Sequence, residues 1–133
     1  MDAFLSVEAH RALKALSLLS SKGALSGFLI GHKRGHRFFV ENILPSSKDG
    51  LPSLDLYDPL DQLYEGKILG FFSFTADRRT TAKILKPLAF GKLFLEVRIG
   101  PKGRLILKSH VIEYNQKFFL LPVPIRPHKK GKI

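Results

Sequence analysis

Apolar residues recur at helical spacing near the start of the chain. Ser6 is a good N-cap residue, and Glu8 falls in the first turn, where the positive end of the helix dipole favours an acid. Gly23 suits the position that follows the last turn. The apolar residues lie three or four positions apart, at Val7, Ala9, Ala12, Leu13, Leu16 and Leu19. This pattern predicts one helix between Ser6 and Gly23.

Short apolar runs separated by turn residues follow the helix and predict strands. The predicted strands are residues 25–30, 37–44, 67–75, 93–99, 104–114 and 117–121. The run at 67–75 is apolar almost without interruption, which is typical of a strand covered on both faces. Helical spacing returns at 80–88. A polar loop is predicted at 31–36. The proline-rich residues 122–127 are predicted to be extended but to interrupt a sheet, because proline has no N–H group to donate.

The order of these elements predicts an α+β fold in which a mostly antiparallel sheet is flanked by helices on its two faces. A chain of 133 residues is the size of one domain. We expect that domain to span residues 1–125. Residues 126–133 are basic and are predicted to be a disordered tail.

Charge is distributed unevenly along the chain. The net charge is +11, with −1 in residues 1–65 and +12 in residues 66–133. The basic half is expected to attract polyanions or acidic protein surfaces, although basic residues also simply keep a small domain soluble. The absence of cysteine excludes disulfides and thiolate metal sites.

The distribution of apolar residues also bears on location. No apolar run approaches the ~18 residues that a spanning helix needs. The first apolar segment contains Glu8, Arg11 and Lys14, which makes an export signal a poor interpretation. We therefore expect a cytoplasmic protein that does not act at a membrane.

Four segments resemble the JAMM/MPN metalloprotease family in order and spacing. Residues 25–31 (LSGFLIG) are similar to the family's helix-to-strand entry, Glu-x-x-Gly-Leu-Leu-x-Gly. Residues 38–45 (FFVENILP) resemble its second strand. Residues 57–59 (YDP) and 70–75 (GFFSFT) resemble the segment that reads Gly-Trp-Tyr-His-x-His in catalytic members. The resemblance covers nearly the whole chain and implies an MPN-like fold with cytidine-deaminase-like layering.

Catalytic members of that family bind zinc through two histidines and an aspartate, and a glutamate is the base toward the zinc-bound water. Matched to this chain, the glutamate position falls at Ala24, the histidines at Ser73 and Thr75, and the aspartate at Lys83. A hydroxyl is a poor zinc ligand and an ammonium repels the ion. The resemblance therefore implies a pseudoenzyme with four vestigial positions, no metal and no cofactor. Lys83 either supplies the charge the metal once gave, binds an anion, or is a solvated helix residue.

Two basic clusters are candidate anion-binding sites, one around the predicted loop at 31–36 and one before the predicted helix at 80–88, whose backbone amides can face an anion. The candidates are Lys33, Arg34, Arg37, Arg78 and Arg79. The alternative for the first cluster is an exposed hairpin tip with no ligand. His32 and His36 are not predicted to bind a metal, because no Asp, Glu or Cys lies within their loop.

These observations favour a non-catalytic, MPN-like binding or assembly module that acts through protein–protein contacts. Inactive members of the family commonly pair with other MPN domains, so the resemblance implies a protein partner or self-association as a homodimer. The alternative is a small basic nucleic-acid-binding protein, which rests on the basic half and on aromatic residues beside basic ones near residues 117–119. A metal-independent enzyme that uses Ser73, Thr75 and Lys83 is a third hypothesis.

Overall fold

The computed structural model describes residues 1–19, 26–47, 67–74, 85 and 87–128. In this part of the chain it contains eight strands, one α-helix and two short 3-10 helices. The strands and the helix are β1 (Asp2–Ser6), α1 (Val7–Leu19), β2 (Ser26–Arg34), β3 (Arg37–Ser47), β4 (Ile68–Ser73), β5 (Leu93–Ile99), β6 (Leu105–Asn115), β7 (Lys117–Val123) and β8 (Ile125–His128). The 3-10 helices are Pro87–Ala89 and Pro101–Gly103.

All eight strands belong to one sheet, in the order β7-β6-β5-β4-β2-β3-β1-β8. The pairs β1–β3, β1–β8 and β4–β5 are parallel, and the other neighbours are antiparallel. Only Pro124 separates β7, which pairs with β6, from β8, which pairs with β1. One extended segment therefore connects the two ends of the sheet, and the sheet curls into a nearly closed barrel.

The predicted α+β architecture is wrong. The described residues contain one α-helix and a nearly closed eight-stranded barrel, and not an MPN-like sheet flanked by helices with cytidine-deaminase-like layering. The prediction missed β1 and placed the proline-rich end outside the sheet. Both segments are strands, β1 and β8, and their parallel pairing brings the two ends of the sheet together. The predicted helix at 80–88 falls largely outside the described residues.

The proline-rich segment joins the sheet because its prolines lie where a missing N–H group costs little. Pro122 is in β7, at an end of the sheet, and Pro127 is in β8, at the other end. Edge strands tolerate proline because one of their two backbone edges makes no ladder hydrogen bonds. Residues 126–128, which the sequence assigned to a tail, lie in β8, whereas residues 129–133 lie outside the described part of the chain.

The predicted N-terminal helix is confirmed, and so is its cap. The Ala9 N–H donates to Ser6 Oγ over 3.0 Å, which satisfies one of the free amides of the first turn. Ser6 Oγ in turn donates to the carbonyl oxygen of Glu41 over 2.8 Å, so the cap also ties α1 to β3. Ala9 and Leu13 are completely buried in the main core. No helix in the described ranges is long and apolar enough to cross a membrane.

The sheet has a core on each of its two faces. The main core contains the buried face of α1 and side chains from seven of the eight strands, among them Leu29, Phe72 and Leu95. A smaller core on the other face contains Phe28, Ile68, Phe71, Ala89, Phe94 and Ile112. β4 contributes to both, and all six of its residues are buried. This confirms the prediction of a strand covered on both faces, because the neighbours β2 and β5 place β4 near the centre of the sheet.

Candidate anion-binding face

The predicted loop at 31–36 is mostly strand. β2 continues to Arg34, β3 begins at Arg37, and only Gly35 and His36 form the turn. Gly35 has a φ of 58°, a left-handed conformation that glycine adopts without strain. The Asp2 N–H donates to the carbonyl oxygen of His36 over 3.1 Å, so the end of the hairpin is tied to β1. The exposed tip is therefore a short extension of the sheet.

Strand alternation divides the predicted basic cluster between two faces of the hairpin. Arg34 pairs with Arg37, so both side chains lie on one face. Lys33 pairs with Phe38, whose ring is buried in the main core, so Lys33 lies on the other face. Its Nζ is 4.9 Å from the centre of that ring. Arg34 and Arg37 therefore form one candidate site, and Lys33 does not belong to it.

Three rings lie side by side on the face that carries Arg34 and Arg37. Phe4 in β1, Phe39 in β3 and His32 in β2 are in register across neighbouring strands. The centres of the Phe4 and Phe39 rings are 5.1 Å apart with 11° between their planes, and those of His32 and Phe39 are 5.0 Å apart with 15°. We call these three side chains the ring ladder.

The ring ladder is bordered by arginines. Arg126 in β8 pairs with Phe4 and so extends the same row across a fourth strand. The guanidinium of Arg34 is 5.9 Å from the centre of the Phe39 ring. Arg37 Nε is 4.0 Å from Asp2 Oδ1, at the limit of an ion pair, and its side chain is 65% exposed. The ring ladder, Arg34, Arg37 and Arg126 together make the ring-ladder face.

A bulge in β3 brings an acid to this face. Ile30 pairs with Asn42 and the next residue, Gly31, pairs with Val40, so Glu41 has no partner in β2. The Glu41 carboxylate is 2.5 Å from His32 Nδ1. Sequence reasoning missed this contact because it searched only the loop for acids. The buried positions change from even (Phe38, Val40) to odd (Ile43) across the bulge, as one extra residue requires. The sequence does not show this change, because Phe39 and Leu44 are apolar as well.

His32 and Glu41 do not make a metal site by themselves. A zinc site in a protein needs at least three ligand side chains. Among the described residues, no group of three or more His, Asp or Glu side chains could hold a metal ion. The two side chains form an exposed hydrogen-bonded pair within the ring-ladder face.

Ser73 is the vestigial position that the structure describes. It is the last residue of β4, is completely buried, and is in register with Ser26 in β2 and Glu96 in β5. Glu96 in turn pairs with Lys108 in β6. Ser73 thus belongs to a row of polar residues across four strands. No local pattern predicts this row, because long-range strand pairing alone brings its residues together.

The remaining predicted site residues lie outside the described part of the chain. They are Ala24, Thr75, Lys83, Arg78 and Arg79. The predicted arrangement of Ser73 with the other three vestigial positions, and the predicted anion site before residues 80–88, therefore stay predictions.

His110 lies next to the polar row. Its neighbour in β5 is Phe94, two residues before Glu96 on the same face. His110 Nδ1 is buried and has no hydrogen-bond partner among the described residues. Burial lowers the pKa of His110 below 6.5, the Glu96 carboxylate opposes this shift, and the Lys108 ammonium adds to it. The imidazole is therefore held in its neutral form, which suits a partly buried position.

Comparison with known proteins supports the fold and leaves the function open. No protein-family model and no curated protein matches this chain. Among solved structures, the chain is similar to the solution structure of protein DSY2949 from Desulfitobacterium hafniense, a structural-genomics target. The TM-score is 0.65 at 16% sequence identity, and the match covers 98% of this chain and 97% of the other. At this identity the likeness concerns the fold alone.

Proposed function

We propose that this protein is a non-catalytic binding module that docks an acidic segment of a protein partner on the ring-ladder face. The observation that carries the proposal is the register of Arg126, Phe4, Phe39 and His32 across four strands, with Arg34 and Arg37 at one end. Phe4 and Phe39 give the face an apolar centre, three arginines border it, and the Glu41 carboxylate is held by His32. This arrangement complements a segment in which carboxylates alternate with apolar side chains.

Protein is a better partner than nucleic acid for this face. Base recognition by aromatic side chains requires a ring plane that is open to a stacked base. Phe39 has a nearly parallel ring on each side, contributed by the two neighbouring strands. Both planes of the Phe39 ring are therefore occupied by neighbouring rings. The ring ladder therefore offers apolar contact to side chains and little stacking surface to a base.

The partner is a separate protein or a second copy of this chain. Residues 49–65 contain five acids and no base. The same segment in a second copy is a chemically suitable ligand for the arginines. We place the module in the cytoplasm as part of this proposal.

A labelled peptide with the sequence of residues 49–65, DGLPSLDLYDPLDQLYE, tests the proposal by fluorescence anisotropy. Saturable binding is expected, with affinity falling as salt rises to about 0.5 M. The double variant Arg34→Gln/Arg37→Gln is expected to weaken binding roughly three- to thirtyfold. Arg98→Gln is the matched control, because Arg98 is exposed on β5 and pairs with Glu96 outside the face.

Three outcomes would contradict the proposal. One is the absence of binding to this peptide and to poly-glutamate at low salt. A second is an equal loss of affinity in the Arg98→Gln control. A third is a single-stranded oligonucleotide that binds more tightly than the peptides and loses affinity in the double variant, which would support the nucleic-acid alternative. Size-exclusion chromatography at the two salt concentrations separates self-association from binding of another protein.

A further inference from the structure

β6 and β8 face each other across a gap in the nearly closed barrel. β7 pairs with residues 109–115 of β6, but after Pro124 the chain leaves β6 and pairs with β1. Residues 105–108 of β6 therefore have no strand partner on this side within the described part of the chain. The diverging strands and the start of α1 enclose a cleft of about 610 Å³.

The floor of this cleft is apolar. Leu5, Leu105, Leu107, Ile125 and Pro127 line it. Leu5 belongs to the main core, and Leu105, Leu107 and Ile125 pack against that core while remaining partly exposed. Half-buried aliphatic side chains at the bottom of a cleft are the surface that an aliphatic ligand would cover.

The rim of the cleft is cationic. Arg11 lies on α1 and Arg104 immediately precedes β6, so two separate elements each place an arginine at the mouth of the cleft. Arg126 in β8 also borders the cleft, although its side chain lies on the ring-ladder face. His10 completes this rim. None of the described residues that line the cleft is acidic. An anionic group at the mouth would therefore meet several arginines and no opposing carboxylate among these residues.

We propose that this cleft binds an unbranched aliphatic carboxylate, with the chain along the leucine and isoleucine floor and the carboxylate at the arginine rim. The volume falls within the roughly 300–1,000 Å³ of small-molecule pockets. Guanidinium binds carboxylate through two parallel hydrogen bonds, which gives the rim its selectivity for an anion. The site is independent of the proposed docking of an acidic segment, with which it shares only Arg126.

A peptide strand is the less suitable occupant of the gap. A strand added beside β8 would need backbone donors and acceptors along its free edge. β8 has only four residues, Pro127 contributes no N–H group, and among the described residues the edge of β6 without a strand partner on this side is likewise only residues 105–108. The short edge gives a peptide few hydrogen bonds, whereas an aliphatic chain needs none.

Isothermal titration calorimetry of the full chain with octanoate, decanoate and dodecanoate, each below its micelle concentration, tests this proposal. Affinity is expected to rise with chain length, by at most roughly fourfold for each added methylene group. Acetate, which has the head group alone, is expected not to bind measurably. Dodecyltrimethylammonium, which has the same tail and the opposite charge, is expected to bind at least about tenfold more weakly than dodecanoate.

Variants at the rim and at the floor test the contributions of the arginines and of the aliphatic side chains separately. Arg11→Gln/Arg104→Gln is expected to weaken dodecanoate binding about tenfold or more, and Arg98→Gln to leave it unchanged. Leu107→Phe fills the cleft and is expected to reduce affinity for dodecanoate more than for octanoate. Because Arg11 and Arg104 are exposed, the rim variant tests the site even if the floor variant is unstable.

Three results would overturn the proposal: no saturable binding of dodecanoate, equal affinity for the cationic detergent, or an equal loss in the Arg98→Gln control. Binding of the peptide of residues 49–65 in the cleft, lost in Arg11→Gln/Arg104→Gln, with no binding of dodecanoate would show that a peptide is the occupant. Arg34→Gln/Arg37→Gln is expected to bind dodecanoate normally. The docking proposal and the carboxylate proposal can therefore fail separately.

Discussion

The Ala3 N–H donates a hydrogen bond to the carbonyl oxygen of Pro124 over 2.9 Å. This contact lies where the last segment of the chain leaves β6 and begins to pair with β1. Residues more than a hundred positions apart thus close the sheet, and their pairing shapes both the ring-ladder face and the cleft.

The first prediction concerns β8, the strand that closes the sheet against β1. Ile125 points toward the main core and Arg126 toward the opposite face. Ile125→Ala is expected to lower the free energy of unfolding by about 1–2 kcal/mol, which is less than for a fully buried isoleucine because Ile125 is partly exposed. Arg126→Ala, its neighbour and control, is expected to change it by less than about 0.5 kcal/mol. Urea denaturation measures the free energy of unfolding of both variants. Equal losses would contradict the placement of the two side chains on opposite faces of the sheet.

The second prediction concerns the cap of α1. Ser6→Ala removes the acceptor for the Ala9 N–H and the donor to the Glu41 carbonyl. It is expected to cost about 1–2 kcal/mol of stability. Ser17, whose Oγ donates to the carbonyl oxygen of Lys14, lies within the same helix, and Ser17→Ala is expected to be neutral or slightly stabilising. Thermal denaturation of the two variants provides the comparison. A Ser6→Ala variant as stable as Ser17→Ala would contradict the role of the cap.

The third prediction concerns pH. Burial holds the pKa of His110 below the 6.5 that the group has when unfolded. Between these two pKa values the unfolded chain binds more protons than the folded chain, so the free energy of unfolding rises with pH in this window and falls on acidification. His110→Leu is expected to reduce that slope between about pH 7 and pH 5.

His36→Gln is the control for the pH experiment. His36 is exposed at the hairpin turn, so its replacement is expected to leave the slope nearly unchanged. Urea denaturation at several pH values measures the three slopes. If the wild-type and His110→Leu slopes were the same, burial of His110 would not contribute to the pH dependence.

The fourth prediction concerns the close approach of β4 and β5. A Cβ added at Gly70 would overlap the backbone of Leu93 in the neighbouring strand. Gly70→Ala is expected to cost about 3 kcal/mol or more, because backbone atoms of a central strand must move. Gly35→Asn is the contrasting substitution, since no atom lies within 4 Å of a Cβ there and asparagine tolerates a φ of 58°. A soluble, fully stable Gly70→Ala variant would show that the strands are farther apart.

Local patterns in the sequence predicted the local elements well. The serine cap and the apolar stripe predicted α1, and the uninterrupted apolar run predicted the doubly covered β4. The break between the predicted strands at 93–99 and 104–114 was also correct, because its glycines and proline are recognisable without knowledge of the rest of the fold. Each of these features depends on residues that are neighbours in sequence.

The prediction failed where pairing joins distant segments. No strand was predicted before Ser6, and the prolines of residues 122–127 argued against a strand there. Their ladder depends on residues 3–6 meeting residues 125–128, which no local pattern reveals. The helix, hairpin and buried strand that carry the JAMM/MPN resemblance are compatible with more than one arrangement of the remaining strands, so the predicted layering was wrong.

The candidate sites also contain local features that the sequence predicted and long-range features that it did not. Arg34 and Arg37 were identified from sequence because a basic hairpin is visible in it. Their association with Phe4, Phe39 and Arg126 was not visible, since it requires the register of four strands. The sequence also could not show that Lys33 lies on the other face, because the predicted loop had no alternation.

Local sequence patterns are enough to locate α1 and the central strands, and composition alone shows the excess of basic residues. Long-range pairing is needed to bring β8 against β1, to direct Glu41 to His32 through a bulge, and to place Arg11 and Arg104 at the mouth of one apolar cleft. Propensity and amphipathic spacing act between near neighbours, whereas long-range strand pairing depends on the free energy of the whole folded chain.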